Sequence, residues 1–411
     1  MLQLLLLLFA QASPNRAAAA ESSSLPSGLG VHVQVWQIRA ADLERIRSFG
    51  FSFLRWGMSW QAIEKRPGQF DWTEPDAFFD KVRRSGLSSI VILATGNPLY
   101  GRQLELRPDP TARELRVAAP PEDQPAVAAF SRFAAAAAKR YANDRVTWEI
   151  WNEPDSPVFW PPKPQPEAYA RLVAMTCSAI KVAVPEAMVI APATASLPIR
   201  ASAFYSALAK TDAAGCLDGL SMHSYRIIRS RRPDPESVEP DNLASRVLLG
   251  RLSNRWSTLP ILCTEWGYPS SSVSSATQQA YLARVYLANL ASGVTATVWY
   301  EWKDSRDEVA NPESHFGLLT AQGAFKVEPD GELIRRLVGM KFIRQVESAV
   351  PQVQALLFEE GNTNQIVAWL RSDDDARTIS VSISGRAAVL SNRPIVVPGD
   401  QIEAGGHSNA H

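Results

Sequence analysis

Val146-Thr147-Trp148-Glu149-Ile150-Trp151-Asn152-Glu153-Pro154 opens as a short β-branched and apolar run and closes on an amide and a carboxyl instead of ordinary turn residues. A run of that kind is a buried strand with chemistry at its C-terminal end. Seven further runs have similar character: Val31–Trp36, Phe51–Gly57, Ser89–Gly96, Met188–Ala193, Gly219–Tyr225, Pro260–Trp266 and Ala296–Trp302. Between them lie helical patterns such as Ala41–Phe49, Ala77–Ser85, Ala126–Tyr141, Pro166–Val184 and Thr277–Ser292. Strand–helix alternation predicts a parallel sheet covered by helices. Eight units over about 270 residues predict a closed (β/α)8 (TIM) barrel, for which ~250 is typical. An open doubly wound sheet would more often carry GxGxxG in its first turn, and that motif is absent. The expected fold class is therefore α/β, with the barrel over residues 28–344.

Several other strands also end in reactive or aromatic residues. The second ends Arg55-Trp56-Gly57, the sixth His223-Ser224-Tyr225, the seventh Thr264-Glu265-Trp266-Gly267, and the eighth Trp299-Tyr300-Glu301-Trp302. In a (β/α)8 barrel the C-terminal strand ends share one rim, and that rim carries the active site. Glu153 and Glu265 thus face one mouth from the fourth and seventh strands. Two carboxyl groups ~5 Å apart are what retaining cleavage of a glycosidic bond requires, one as acid/base and one as nucleophile. The acid needs a raised pKa, for which Trp151, Pro154 and Trp160 offer apolar surroundings. The nucleophile needs donors, and Arg55 and Tyr225 are the candidates. Glu149, four residues before Glu153, points into the barrel, where a buried charge demands a partner such as Arg55. Glu301 is an ambiguous acid near the rim. His32 is read as a core residue near the far end of the barrel.

Composition narrows the function classes. Lys+Arg and Asp+Glu both total 42, so the formal charge is zero and no basic field for nucleic acid exists. Five histidines with no HxH or HExxH spacing argue against a catalytic metal, and no GxSxG elbow is present. Twelve tryptophans supply faces on which sugar rings stack, though indoles also fill cores. Residues 1–20 read as a signal peptide ending Ala18-Ala19-Ala20, lacking a basic residue before its apolar run. A secreted or periplasmic location follows as an expectation. No later run reaches a membrane span. Cys177, Cys216 and Cys263 allow at most one disulfide, without indicating which, and three separate buried thiols is the favoured reading.

Residues 345–403 change character. Ala355–Phe358, Gln365–Arg371, Thr378–Ile383, Ala388–Leu390 and Ile395–Val397 are short strand candidates without helices between them, as in a small β-sandwich-like domain. Residues 404–411 read as a frayed tail. Asn97 to Gln124 is a long loop expected to wall the cleft. Asp155 to Pro166 forms an aromatic lip in which Trp160 is expected to stack on a sugar. Arg226, Arg229, Arg231 and Arg232 follow the sixth strand as a solvated face.

Trp148 to Pro154 resembles the acid/base motif of clan A glycoside hydrolases, especially family 39, and Leu262-Cys263-Thr264-Glu265-Trp266-Gly267 resembles the nucleophile strand of that clan. The resemblance runs from about Val31 to Gly323 and fits bacterial members acting on extracellular polysaccharides. It implies Glu153 as acid/base and Glu265 as nucleophile, Asn152 at the sugar 2-hydroxyl, and Arg55 supporting the nucleophile. It further implies His223 and Tyr225 around the bound sugar and Trp302 as the pocket floor. Cys263, two residues before the nucleophile, departs from the pattern. The expected activity is a retaining β-glycosidase needing no cofactor, acting as a monomer and more endo than exo. The rivals are an exo-acting β-xylosidase-like enzyme, an inactive carbohydrate-binding barrel and a metal-dependent hydrolase.

Overall fold

The computed structural model describes residues 24–106, 115–225, 234–304, 311–328 and 330–404. The leader sequence, the four arginines after the sixth strand and the tail beyond Ala404 lie outside the described residues. Eight parallel strands close into a barrel: β1 (Gly28–His32), β2 (Phe53–Ser59), β3 (Ser88–Ala94), β4 (Val146–Ile150), β5 (Met188–Thr194), β6 (Gly219–His223), β7 (Ile261–Trp266) and β8 (Ala296–Trp299). Each pairs with its neighbours in sequence, and β1 closes on β8 through Gly28 opposite Ala296. The surrounding helices include α1 (Ala40–Ser48), α2 (Thr73–Ser85), α3 (Gln124–Arg140), α4 (Pro166–Ala183), α5 (Ser202–Ala209), α6 (Glu239–Leu252), α7 (Ser275–Ala291) and α8 (Gly331–Gly339). Local chemistry starts several of them. Asp123 accepts from Ala126 N ahead of α3, Ser274 accepts from Thr277 N ahead of α7, and Pro166 opens α4.

The first strand lies three residues earlier at its start than the apolar run Val31–Trp36 suggests. Gly28 and Gly30 hide it from an apolar count. Gly30 is required: a β-carbon there would stand 2.2 Å from the Phe53 ring. Phe53 needs that space, because with Ile90, Ile190, Leu262, Ala296 and Val298 it forms an apolar cluster of barrel residues. The shifted register puts His32 at the mouth end of β1, which corrects its placement at the far end.

The strands after the barrel form two sheets, in the orders β9 (Lys341–Gln345), β10 (Val353–Glu360), β11 (Thr363–Leu370), β14 (Ile395–Pro398), and β13 (Arg386–Leu390), β12 (Ile379–Ile383), β15 (Ile402–Ala404). They enclose a core of their own that includes Val353, Leu357, Ile366, Val381 and Leu390. The first sheet begins at Lys341, ahead of the expected boundary at 345, because β9 is a largely exposed edge strand with no apolar alternation to read. Ile402–Ala404 was likewise too short to read. The two parts are pinned together. Arg284 of α7 grips Glu236 with bonds of 2.8 and 2.6 Å, the Trp369 indole donates to the same carboxylate at 2.7 Å, and Arg284 also reaches Ser372 O. All three ionic and indole side chains are buried, so the network stands where solvent cannot replace it.

Cys177 of α4 and Cys216 form a disulfide across 39 residues, and Cys263 is free and buried. This replaces the reading of three separate thiols, since helix packing brings together residues whose spacing gave no sign of it. Closing a loop of that length stabilises by about 4 kcal/mol on the chain-entropy account. Cys216→Ala should lower the denaturation midpoint accordingly, and an unchanged guanidinium midpoint would refute a structural role for the bridge.

Candidate active site

Arg55, midway along β2, is fully buried with its guanidinium at the centre of the mouth. Its Nε donates to Glu149 Oε2 at 2.7 Å, Nη1 to Glu265 Oε2 at 2.6 Å, and Nη2 to Asn152 Oδ1 at 2.7 Å. Nη1 also faces His32 Nδ1 at 3.4 Å, and Nη2 faces His223 Nε2 at 3.3 Å. A guanidinium only donates, so the His223 Nε2 it faces must accept. The His223 proton therefore sits on Nδ1 and is donated to Glu153 Oε1 at 2.7 Å. Burial holds the His223 pKa below its ordinary value, with Arg55 adding to the effect, so the imidazole is a neutral donor.

The two candidate carboxyls converge. Glu153, Glu265 and His223 each place a ligand-type atom within 4.8 Å of the others. Their environments differ. Burial raises the Glu153 pKa to about 7, Asp155 adds to this, and Arg55 opposes it. Burial also pushes Glu265 up, while His223 and Arg55 pull it back. The proton goes to Glu153, because Glu265 alone touches the guanidinium and also accepts from the Tyr225 hydroxyl at 3.2 Å. Charge counting agrees: Glu149 and Glu265 already offset Arg55, and a third negative charge in the same buried space is unfavourable.

The backbone places these groups in an uncommon way. Trp151 and Glu153, either side of Asn152, have φ of 71° and 45°. Such positions cost ~1–3 kcal/mol each and persist where surrounding bonds fix them. Here Trp151 N donates to Leu93 O and Glu153 N to Ala193 O, both at 2.9 Å.

Six residues named from sequence come together: Glu153, Glu265, Arg55, Asn152, His223 and Tyr225. Arg55 is fully buried and bonded to Glu265, the residue it was expected to support, whereas His223, expected around the sugar, is fully buried and bonded to Glu153. Trp160 is not a sugar platform. It is fully buried, edge-on to Trp151 and Tyr169, with its indole N–H donated to Glu122 at 3.0 Å. Trp302 is not the floor either, being fully buried and packed near Phe49, Phe51 and Phe325. The reason is that β8 ends at Trp299, so the chain has already left the barrel wall by residue 302. Tyr300, two residues before it, is half-buried, its ring 5.1 Å from His32 and 5.4 Å from Phe316. Glu301 is buried and accepts from Gln34 Nε2 at 3.3 Å, with its pKa raised to about 8 mainly by burial. Tyr300 was open to sequence reading as a strand-end aromatic; Gln34 carried no signal. The Cys263 thiol, pushed to about 11 by burial, points at Glu265 O and is inert at neutral pH.

Glu153, His223 and Glu265 could in principle ligate a metal ion. The Arg55 guanidinium, 2.6 Å from Glu265, puts a fixed positive charge beside any ion held there, and the two charges repel. This donor set suits proton chemistry better than a divalent cation.

No protein-family model matches the chain, and no curated protein matches it. Solved structures are similar in fold. A family 39 glycoside hydrolase from the gut symbiont Bacteroides cellulosilyticus WH2 superposes with a TM-score of 0.71 at 20% identity, over 90% of this chain and 80% of that one. A monomeric beta-xylosidase from Caulobacter crescentus CB15 gives 0.64 at 20% identity, over 87% and 78%. A GH30 endoxylanase from Clostridium papyrosolvens C71 gives 0.60 at 13% identity, over 91% and 94%. The chain has the (β/α)8 fold of these glycoside hydrolases, followed by additional β-strands.

Two predictions follow from the charge arrangement. A Glu153 carboxyl with a pKa of about 7 is protonated below that pH. Activity that needs this acid should therefore fall as pH rises through about 7, and Glu153→Gln should abolish that limb in kcat/KM profiles. Activity should also survive exhaustive EDTA treatment. Loss on chelation with recovery on adding a divalent ion would show that the carboxyls hold a metal.

Proposed function

We propose that the protein is a retaining β-glycosidase acting on an extracellular or cell-wall-type glycan. The observation that carries the reading is the Glu153–Glu265 pair, whose oxygens approach within 4.8 Å while only one of the two is tied to a guanidinium. Carboxyls that approach one another this closely favour the retaining arrangement, in which the two groups stand about 5–5.5 Å apart, over the wider inverting one that admits a water between them. In the first step a Glu265 oxygen bonds the anomeric carbon, the glycosidic C–O bond breaks, and Glu153 gives its proton to the departing oxygen. In the second, Glu153 takes a proton from water, the water oxygen bonds the anomeric carbon, and Glu265 leaves as a carboxylate held by Arg55 and Tyr225. Neutral His223 donates to one Glu153 oxygen, leaving the other to carry the transferable proton. Arg55 holds Asn152 Oδ1, which turns the amide N–H2 away from the guanidinium and makes it available to a sugar hydroxyl.

Endo action is the favoured form. Trp36, 73% exposed in the turn after β1, offers an indole face on the barrel rim, where a longer chain could lie. A secreted or periplasmic location is supported by the Cys177–Cys216 bridge, which persists in oxidising compartments. No described helix is long and apolar enough to cross a membrane. A monomer is the expected state, as for the monomeric beta-xylosidase of similar fold.

Incubation with 2-deoxy-2-fluoro β-glycosides of several sugars, followed by peptide mapping, tests the reading. A covalent sugar on Glu265 is expected, abolished in Glu265→Gln. A label on any other carboxyl would overturn the assignment.

A further inference from the structure

In the lip Asp155–Pro166 the exposed aromatic is not the Trp160 expected to stack on a sugar but its neighbour. Trp160 is the anchor, fully buried and bonded to Glu122, while its neighbour Phe159 turns outward and is 41% exposed. Phe159 is held in that posture from both sides. The Trp151 indole donates to Phe159 O at 3.1 Å, Phe159 N donates to Ser156 O at 3.2 Å, and Trp160 N donates to the same carbonyl at 2.8 Å. An exposed phenyl on a fixed backbone loses little freedom when something stacks on it.

Beside Phe159 lies a cavity of about 260 Å³. Its apolar walls come from the lip (Val158, Phe159, Pro161), from Trp151, and from the strand Leu115–Ala118 of a hairpin inserted after β3. Gln61, Thr95, Arg116 and Asn152 supply its polar groups. Asn152 lines the cavity and also belongs to the Glu153–Glu265 cluster, since its side chain is bonded to Arg55 and it directly precedes Glu153. A pyranose has an apolar C–H face and an equatorial belt of hydroxyls. An aromatic face with amide, hydroxyl and guanidinium groups beside it complements that pattern.

We propose that this cavity is a second sugar subsite, in which Phe159 is the stacking platform for the pyranose next to the one that reacts. The assignment rests on the glycosidase reading and extends it to a substrate of at least two linked sugars. A phenyl ring carries no proton to transfer, so the contribution of Phe159 goes to binding the neighbouring ring rather than to bond cleavage.

The test compares two substrates in each protein. A β-glycosyl fluoride of a single sugar fills only the reacting position, because fluoride is the leaving group. A β-linked oligosaccharide of the same sugar also fills the cavity. Panels of β-xylosyl, glucosyl, galactosyl and mannosyl fluorides with their oligosaccharides are assayed on the unsubstituted chain, on Phe159→Ala, and on Ala118→Trp, which fills the cavity. The ratio of kcat/KM for oligosaccharide over fluoride should fall about tenfold in both variants, the scale of one aromatic contact. The fluoride rate in the same preparation reports whether the reacting centre is folded. An unchanged ratio in both variants overturns the subsite and leaves the glycosidase reading intact. Failure of the unsubstituted chain to turn over any fluoride or oligosaccharide overturns the glycosidase reading, and the subsite with it.

Discussion

The mouth of this barrel depends on one buried cation. Arg55 has no solvent to fall back on, so every N–H of its fork must find an acceptor inside the protein. It finds them on β2's neighbours and across the barrel: Glu149 and Asn152 at the end of β4, Glu265 on β7, His32 on β1 and His223 on β6. Each contact fixes something the chemistry uses. The bond to Glu265 makes that carboxyl the one to stay ionised, and the bond to Asn152 decides which way the amide faces. The contact with His223 selects the tautomer that donates to Glu153. Burial works against the Arg55 charge, but Glu149 and Glu265 more than offset it and its pKa lies above the ordinary value. A lysine, with a point charge and three donors, could not satisfy five directions at once.

Much of this was readable from the chain because barrels are periodic. Strand ends recur at regular intervals, and rim chemistry interrupts them where turn residues would otherwise stand, so Glu153 and Glu265 could be placed on one mouth without knowing any distance. What failed were the statements that need side-chain direction. Trp160 was expected to stack as an aromatic of the lip and Trp302 to floor the pocket through the family resemblance, yet an indole is also the largest available core residue, and both are wholly enclosed. The exposed faces belong to Trp36 and Phe159, whose local sequence looks no different. A slip of two or three residues in a strand boundary was enough to misplace His32. Edge strand β9 escaped notice for the opposite reason, since exposed strands carry no apolar alternation.

The β domain is tied to the barrel through a second buried cation. Arg284 repeats at the interface what Arg55 does at the mouth: it is enclosed, bidentate with Glu236, and shares that carboxylate with an indole N–H from Trp369. Glu236 follows β6, the strand carrying His223, in sequence. Arg284 and Trp369 thus fix the chain at Glu236, beyond the segment that begins after Tyr225, whose hydroxyl donates to Glu265. This gives the added strands a structural purpose that requires no sugar site of their own.

Trp151 links Glu153 to the lip. Its indole, buried against Trp160, bonds the Phe159 carbonyl, while its own backbone and that of Glu153 occupy left-handed conformations. Two such residues in three would relax toward ordinary geometry unless held from outside, and the Trp151–Trp160 contact is one restraint that could hold them. The aim of the Glu153 carboxyl and the posture of Phe159 therefore have a common mechanical origin. Burying Trp160 removes an indole from the surface, but it packs against the strand end that carries Glu153, while Phe159 is left exposed.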